Sequence, residues 1–215
     1  MYLPAHFEET RTPVMHDLVR AHPLATWVVQ GADGLVVNHI PFLVDAERGP
    51  HGTLMGHVAR ANPIWRQLGP SIAVFQGPQA YVSPNFYPSK RAHGKVVPTW
   101  NYAVVHAHGT ARAIESRDEL LAIVTRLTQT HEADSAVPWA VSDAPADFID
   151  QMLKAIVGIE IPIERLEGKW KVSQNRALPD RLGTVAGLRQ RGDAHSESMA
   201  ALVGERSEPA SAKRQ

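Results

Sequence analysis

Runs of alternating apolar and polar residues divide the chain into short strands with a few helices between them. β-branched and aromatic residues recur in stretches separated by Gly-, Pro- and Asn-rich turns, at residues 25–30, 35–44, 53–59, 71–83, 99–114 and 157–166. Helical patterns do not alternate regularly with these strands, which disfavours a doubly wound parallel sheet. The pattern predicts a mainly β fold with peripheral helices (α+β), built on a mostly antiparallel barrel. Pro41 predicts an edge strand or a bulge.

Helical periodicity predicts the elements outside the sheet. Residues 12–21 and 117–131 place apolar side chains on one face. Ser116 and Glu119 have the spacing of a capping box before the second helix. Shorter helices are expected at residues 64–68, 146–155 and 178–190.

The composition changes near the end of the chain. From residue 192 onward the sequence is rich in Ser, Glu, Ala, Arg and Lys. Such segments bury too little apolar surface to fold. We therefore predict one folded domain over residues 1–191 and a disordered polar tail over residues 192–215.

Composition and charge exclude some classes of site. The chain has 215 residues and no cysteine, so disulfides and cysteine–zinc sites are impossible. Its 22 basic and 22 acidic residues give a net charge of zero, whereas nucleic-acid binders usually carry a basic excess. The first residues do not have the pattern of a signal peptide, and no apolar run approaches the ~20 residues that span a bilayer. The expected location is therefore cytoplasmic, without a membrane partner.

Two histidines on one predicted strand face raise the question of a metal. His106 and His108 lie two residues apart, so both side chains point to the same face. They could be metal or haem ligands, or imidazoles satisfied on a polar barrel face. Zinc needs three or four ligands, and no third one stands at a recognisable spacing. We predict no metal. The sequence also contains no dinucleotide-binding, P-loop or nucleophile-elbow motif.

The first candidate segment lies at a strand-to-helix junction, residues 56–65. It contains His57, Arg60 and Asn62. A helix N-terminus offers free N–H groups, and an arginine beside it makes an anion site plausible. In the alternative interpretation Asn62 only caps the helix and Arg60 is a surface residue.

The second candidate segment covers residues 76–87 and continues to Lys90. Tyr81 and Ser83 share a strand face. A phenol, a hydroxyl and a nearby lysine suit a phosphate, and aromatic faces suit a flat ring. An ordinary edge strand followed by a solvated lysine loop would give the same pattern.

The third candidate segment is the start of the longest strand, residues 97–102. Trp100 and Tyr102 point one way, and Thr99 and Asn101 point the other. The first half of the strand carries polar residues and the second half carries apolar ones, so the first half could line a site. An aromatic pair at an interface is the alternative.

The fourth candidate segment, residues 167–176, contains Lys169, Ser173 and Gln174. Charge runs are usually solvated, but this one is interrupted by Trp170 and rich in amides. Both a binding role and a solvated face are compatible with it.

Taken together, these segments resemble the PaiB-type family of FMN-binding negative transcriptional regulators. The matching stretches occur in the family's order from residue 1 to about residue 190: M-Y-L-P-A-H-F, G-H-V-A-R-A-N-P-I-W, F-Q-G-P-Q-A-Y-V-S-P-N-F-Y, V-P-T-W-N-Y and L-E-G-K-W-K-V-S-Q-N-R. The resemblance implies an FMN-binding split β-barrel like that of pyridoxamine-phosphate oxidases, in a homodimer with FMN at the subunit interface. It also implies a role in repressing genes for sporulation and secreted proteases.

The resemblance also implies which residues contact the flavin. Arg60 and Asn62 would meet the phosphate, followed by Ser83 and Lys90. Trp100, Asn101 and Tyr102 would flank the ribityl chain or the ring, and Lys169, Ser173 and Gln174 would come from the same subunit or its partner. The other expected flavin contacts are His57, Tyr81 and Thr99.

Three functions stay open at this point. The chain could be an FMN-binding protein that acts as a reductase or a redox sensor, with the flavin supplying the chemistry. It could be a haem-binding or haem-degrading split barrel with a histidine as the axial ligand. It could also be a DNA-binding repressor without enzymatic activity, although the sequence shows no helix-turn-helix.

Overall fold

Ten strands and six α-helices form the regular structure of residues 1–207, which are the residues described by the computed structural model. The strands are β1 (Glu8–Glu9), β2 (Leu24–Gly31), β3 (Gly34–Pro41), β4 (Leu43–Asp45), β5 (Thr53–Ala59), β6 (Pro70–Val82), β7 (Thr99–Thr110), β8 (Arg112–Ile114), β9 (Ile156–Pro162) and β10 (Arg165–Lys171). The helices are α1 (Thr12–Ala21), α2 (Ser89–His93), α3 (Arg117–Glu132), α4 (Ala146–Lys154), α5 (Leu178–Arg189) and α6 (Ala194–Glu205).

The strands form two sheets with the orders β1-β10-β7-β6-β2-β3 and β4-β5-β9-β8. The pairings of β1 with β10, β2 with β3 and β6, and β5 with β4 and β9 are antiparallel. The prediction of a mainly β, antiparallel fold with peripheral helices is therefore confirmed. β3 ends at Pro41 and forms the edge of its sheet, in agreement with the edge position that the proline predicted.

Residues 1–207 divide into two compact units, each assembled from separate parts of the chain. The first unit contains Met1–Arg11, Gln76–Val105 and the described residues from Glu167 onward. The second unit contains Thr12–Phe75 and His106–Leu166. β6, β7 and β10 contribute residues to both units.

The core of the second unit is built from large side chains on its two sheets. Trp27, Phe42 and Phe75 are at most 1% exposed and pack edge-on, with ring centroids 6.2 and 6.4 Å apart. α3 adds Ile123 and Leu127, which pack with Met55 and Ile114. Burial of such side chains is the main stabilising contribution, about 1.5–3 kcal/mol for each.

The first unit packs the helix pair α5–α6 and the loop after β6 around its own strands. Leu188 of α5 and Met199 of α6 are fully buried. Gly183 and Gly187 lie so close to Phe86 that a Cβ atom at either glycine would collide with it. The two glycines therefore allow α5 to lie directly against the loop that follows β6.

Helix α6 contradicts the predicted disordered tail over much of its length. Residues 194–205 are helical, and the Asp193 side chain caps the helix by accepting a hydrogen bond from Ser196 N at 2.9 Å. The small and apolar residues Met199, Ala200 and Val203 form a buried stripe that the Ser- and Glu-rich composition obscured. The rest of that prediction, residues 208–215, lies outside the described residues.

Other element predictions also changed. The strand predicted over residues 35–44 is interrupted at Phe42, whose backbone N–H bonds to the Pro23 carbonyl while its ring enters the core. Ser116 precedes α3, but its hydroxyl makes no cap hydrogen bond, so the predicted capping box is wrong. The fourth candidate segment, residues 167–176, begins inside β10. None of the helices in residues 1–207 is long and apolar enough to cross a membrane.

Candidate functional site

One face of the first unit's sheet combines exposed aromatic rings with lysines. Residues two apart on a strand share a face, and β10, β7 and β6 are neighbours. The side chains that define this aromatic–lysine face are Gln79 and Tyr81 on β6, Trp100 and Tyr102 on β7, and Lys169 and Lys171 on β10.

Tyr81 and Trp100 form an aromatic pair on this face. Their ring centroids lie 6.2 Å apart, and the rings are 42% and 49% exposed. Trp100 Nε1 donates a hydrogen bond to Gln79 Oε1 at 3.1 Å, which fixes the orientation of the indole. Exposed rings held at their edges can stack against a flat ligand without losing much rotamer entropy.

Lys169 is held between two tyrosines. It is only 8% exposed, and its Nζ lies 5.5 Å from the Tyr2 ring centroid and 5.4 Å from that of Tyr102. The same ammonium donates to the Tyr2 carbonyl at 2.9 Å. Cation–π contacts of this kind partly replace the water that burial removes.

Lys171 points to the start of β7. Its Nζ donates to Thr99 Oγ1 and, at 2.6 Å, to the Trp100 carbonyl. Burial lowers the pKa of the Lys171 ammonium, and the neighbouring charges of Lys169 and Arg176 lower it further. The positive charges of Lys169, Lys171 and Arg176 therefore repel one another.

This cluster of Lys169, Lys171 and Arg176, which we call the cation cluster, has no carboxylate in ion-pair contact among residues 1–207. Glu8 lies opposite Lys169 in the register of β1 and β10, yet the two do not form an ion pair. Arg176 instead lies over the Tyr87 ring, 4.8 Å from its centroid. Gathering like charges without a counter-charge is unfavourable unless an anion neutralises them. The residues present therefore suit a ligand with a phosphate.

The segment after β10 fixes the position of this cluster. Ser173 is buried and has a φ of 68°, the only positive φ of a non-glycine residue in the described part of the chain. Its hydroxyl accepts a hydrogen bond from Asn101 Nδ2 at 2.9 Å. Gln174 accepts from Val172 N at 2.8 Å and donates to the Trp170 carbonyl. Strained backbone held in this way is typical of functional sites.

The loop after β6 carries Lys90. Ser83 Oγ accepts from Asn85 N at 3.2 Å, and Lys90 Nζ donates to Asn85 Oδ1. The buried carboxylate of Asp180 accepts hydrogen bonds from the backbone N–H and the hydroxyl of Ser89, at 3.1 and 2.7 Å. Helix α5 thereby holds the start of the short helix that contains Lys90.

Arg60 has a structural position in the second unit. Its guanidinium donates to the carbonyls of Lys154 and Ile156 at 2.9 and 3.1 Å and pairs with Glu115 at 2.7 Å. It also lies over the Trp65 ring, 5.5 Å from the centroid. These contacts link the end of β5 to the end of α4 and the start of β9, so they do not favour a phosphate contact.

Asn62 and His57 are also in the second unit. The Asn62 side chain caps a 3-10 helix of four residues (Pro63–Arg66) by accepting from Ile64 N, as its capping interpretation predicted, and donates to Asn38 Oδ1 at 2.7 Å. His57 lies on β5, and its Nδ1 is buried without a hydrogen-bond partner among residues 1–207. Burial lowers the pKa of His57, so the imidazole is neutral near pH 7.

The first unit thus contains ten of the thirteen predicted site residues. Five belong to the aromatic–lysine face or contact it: Tyr81, Thr99, Trp100, Tyr102 and Lys169. Ser83 and Lys90 lie in the following loop, while Asn101, Ser173 and Gln174 support the turn after β10. Sequence reasoning missed Lys171, Arg176 and Tyr2. The signal for Lys171 was its spacing of two from Lys169, which becomes informative only once residues 165–171 are known to be a strand.

Charge is divided unequally between the units. The described residues of the first unit carry 11 basic and 7 acidic side chains, a net charge of +4, and the second unit carries 9 and 14, a net charge of −5. The neutral total concealed this difference. The local excess of positive charge favours an anionic ligand on the first unit.

A family model described as "Putative FMN-binding domain" matches residues 1–165. Among curated proteins, "Uncharacterized protein AN0679" of Emericella nidulans is 32% identical over 97% of this chain and 98% of its own length. "Protease synthase and sporulation protein PAI 2" of Bacillus subtilis is 29% identical over 94% of this chain and 96% of its own.

Solved structures share the fold at low sequence identity. The flavocytochrome Anf3 from Azotobacter vinelandii has a TM-score of 0.56 at 11% identity, over 76% of this chain and 69% of that one. An FAD and heme binding protein from Mycobacterium smegmatis has a TM-score of 0.52 at 16% identity, over 76% and 73%. These similarities, together with the two antiparallel sheets, agree with the predicted split-barrel fold.

Proposed function

The chain belongs to the family of FMN-binding domains, and on that premise we propose that it binds FMN on the aromatic–lysine face of its first unit. The observation that carries the proposal is the cation cluster, which has no carboxylate partner in the described structure. A phosphate monoester brings close to two negative charges and would neutralise it.

The side chains around the cluster have separable tasks in this proposal. Lys171 and Arg176 bind the phosphate, and Lys169 stays between its two tyrosines as an additional positive charge. Tyr81 and Trp100 offer their exposed faces to the flat ring and exclude water from it. The chemistry that a flavin supplies when bound is the transfer of one or two electrons.

The use of the flavin is the second part of the proposal. A flavin-dependent reductase and a redox sensor that acts in transcription are both compatible with such a site. The Bacillus protein that is similar to this chain is named for protease synthesis and sporulation, and a role in such processes favours the sensor over the reductase. The net charge of +4 on the first unit is modest for a DNA-binding surface. Promoter-specific gel shifts at physiological salt that change with the redox state of the flavin would support the sensor, and turnover of a reduced nicotinamide would support the reductase.

We also propose a homodimer with the flavin at its interface. One face of the β3-β2-β6 sheet in the second unit carries no Asp, Glu, Lys or Arg: its side chains are those of Leu24, Thr26, Val28, Gln30, Leu35, Val37, His39, Ile72 and Val74. Leu24, Leu35 and Val37 are 62%, 70% and 54% exposed. A largely apolar face of this kind supports a protein partner, because monomers rarely expose such patches.

The dimer has its own test. Sedimentation of the native chain should give a dimer, and Val37→Lys should dissociate it, whereas Asp33→Lys in the neighbouring turn should not. If Val37→Lys remains a dimer, this face is not the interface. If the flavin lies at the interface, Val37→Lys should also weaken FMN binding.

Haem binding is the second candidate function. Its support is the solved structure of an FAD and heme binding protein and the neutral, buried imidazole of His57. His106 and His108 share a strand face as predicted, with ring centroids 6.3 Å apart. Haem addition should produce a Soret band that one His→Ala change abolishes. An unchanged spectrum would remove this candidate.

The FMN proposal is tested by absorption and by ligand titration. Purified protein should be yellow or take up FMN with a Kd below about 1 μM. Lys171→Ala should weaken FMN about 10- to 100-fold, since a charge-assisted phosphate contact contributes about 1.5–3 kcal/mol, and should leave riboflavin within about threefold. Lys154→Ala, an exposed lysine in the second unit, is the control with the same loss of charge. Equal losses for the two ligands would show that the phosphate lies elsewhere.

A further inference from the structure

A groove outside the proposed flavin site lies in the second unit, between α3 and the segment that follows it. Leu121, Thr125 and Thr128 form one wall, because they lie on one stripe of α3. Val141 and Ile149 belong to the opposite wall. The groove has a volume of about 580 Å³, enough to receive several side chains.

The loop after α3 and helix α4, which lie beside the groove, leave apolar side chains in water. Val137 is 87% exposed, and Trp139, Phe148 and Met152 are 46–48% exposed. Of α4, only Leu153 is fully buried. Single exposed apolar residues are common, but a group of large ones within residues 137–152 is typical of an interaction site.

Acidic residues predominate in the chain segment that forms this groove. Residues 115–150 carry eight carboxylates and two arginines, a net charge of −6. Arg117 is engaged by Asp150 and Asp118, and Arg126 by Asp45. Asp147 makes no ion pair among the described residues. The local charge therefore favours a cationic partner and disfavours nucleic acid.

We propose that this groove, with its acidic surroundings, binds a basic amphipathic helix of another protein. Apolar residues of such a helix, spaced i, i+3, i+4 and i+7, would enter the groove, and its flanking Lys and Arg would meet the carboxylates. The length of the groove wall, from Leu121 to Gln129 on α3, corresponds to about two turns of helix. This role is separate from flavin binding, which involves the other unit.

The experiment uses the full chain and defined peptides. The probe is a fluorescent peptide of about 18 residues, made of Leu and Lys with leucines on one helical face. One control peptide replaces every Lys with Glu, and another has the same composition in scrambled order. We expect micromolar binding of the first peptide that weakens with added salt, and at least about tenfold weaker binding of both controls.

Variants distinguish binding in the groove from general electrostatic attraction of the peptide to the protein. Thr125→Trp fills the groove and should weaken the Leu–Lys peptide at least about tenfold. Ala146→Trp, on the opposite wall and exposed, provides a second filling variant should the first not fold. Asp118→Lys with Asp147→Lys should weaken binding to a similar degree, whereas Asp33→Lys with Glu47→Lys, elsewhere on the same unit, should change it less than about threefold.

The proposal fails if the filling variants bind the peptide as the native chain does, or if both charge-reversal pairs lose affinity equally. It also fails if a second copy occupies the groove. In that case native self-association would be lost in Thr125→Trp, and the Leu–Lys peptide would not bind. FMN affinity should be unchanged in every one of these variants, so the outcome is independent of the proposed flavin site.

Discussion

Asn101 donates a buried hydrogen bond of 2.9 Å to the hydroxyl of Ser173, and Ser173 has the left-handed backbone that glycine normally adopts. The bond connects the start of β7 to the turn that positions Gln174 and Arg176. The serine at position 173 therefore introduces backbone strain, and its hydroxyl provides the acceptor for the Asn101 amide.

Substitutions at Ser173 should separate these two effects. Ser173→Ala keeps the strain and leaves the Asn101 amide without its acceptor, so we expect a loss of about 1–3 kcal/mol in unfolding free energy. Ser173→Gly removes the strain as well and should be about 1 kcal/mol more stable than Ser173→Ala. Urea unfolding measures both. If the two variants are equally stable, the positive φ carries no strain.

The lowered pKa of Lys171 predicts how FMN binding depends on pH. The ammonium loses its proton at lower pH than an ordinary lysine, and only the charged form attracts a phosphate. FMN affinity should therefore fall on the alkaline side before other lysines titrate. Lys171→Arg, which stays charged, should remove this decrease. Fluorescence titrations of FMN and riboflavin between pH 7 and pH 10 give the comparison, and a decrease that persists in Lys171→Arg would contradict it.

Glu9 predicts acid sensitivity of the first unit. Burial alone would raise its pKa, but hydrogen bonds from Arg11 and Arg206 outweigh burial and lower the pKa to about 2. A depressed carboxylate pKa stabilises the fold above the unfolded value near 4.5, and this stabilisation is lost as the pH falls towards 2. Glu9→Gln should cost about 2 kcal/mol at pH 7 and reduce the slope of stability between pH 4.5 and 2. An unchanged slope would show that Glu9 does not control it.

Gly187 and Gly204 form a matched pair within the two C-terminal helices. A Cβ atom at Gly187 would collide with the Phe86 ring, whereas a Cβ atom at Gly204 meets nothing within 4 Å. Gly187→Ala should therefore destabilise by about 1–3 kcal/mol, and Gly204→Ala should be neutral or stabilise by up to about 1 kcal/mol through helix propensity. Thermal unfolding of the two variants checks this. Equal effects would mean that α5 does not pack closely on the loop after β6.

Arg60 gives a prediction opposite to the one drawn from its sequence. Because its guanidinium is committed to two backbone carbonyls and Glu115, Arg60→Ala should lower stability by about 1–3 kcal/mol. The ratio of FMN to riboflavin affinity should stay unchanged. A selective loss of FMN affinity would restore the phosphate role that the sequence suggested.

Sequence patterns predicted the strands well because alternation is a local property. β5 matches its predicted bounds, and β7 begins at the predicted residue. The face shared by Trp100 and Tyr102 followed from the same rule. Helix α6 was missed because its buried stripe of Met199, Ala200 and Val203 is short and weakly apolar. Only packing against α5 decides that it forms.

The site was harder to predict because its charges depend on distant partners. Arg60 and Lys171 are similar in sequence, since each is a basic residue between apolar neighbours and two positions before a polar residue. Arg60 has carbonyls and a carboxylate within reach, from residues more than fifty positions away, while Lys171 reaches only neutral oxygens and other cations. Spacing rules cannot detect hydrogen-bond and ion-pair partners that lie so far away in the sequence.

Four boundaries separate the two units: Arg11–Thr12, Phe75–Gln76 inside β6, Val105–His106 inside β7 and Leu166–Glu167 inside β10. Since each unit is assembled from separate parts of the chain, no contiguous gene fragment can encode either unit. Truncation, the usual way to assign an activity to part of a protein, would therefore remove residues of both units or leave a unit incomplete. Assignment of ligand binding to one unit has to come from point variants in the intact chain.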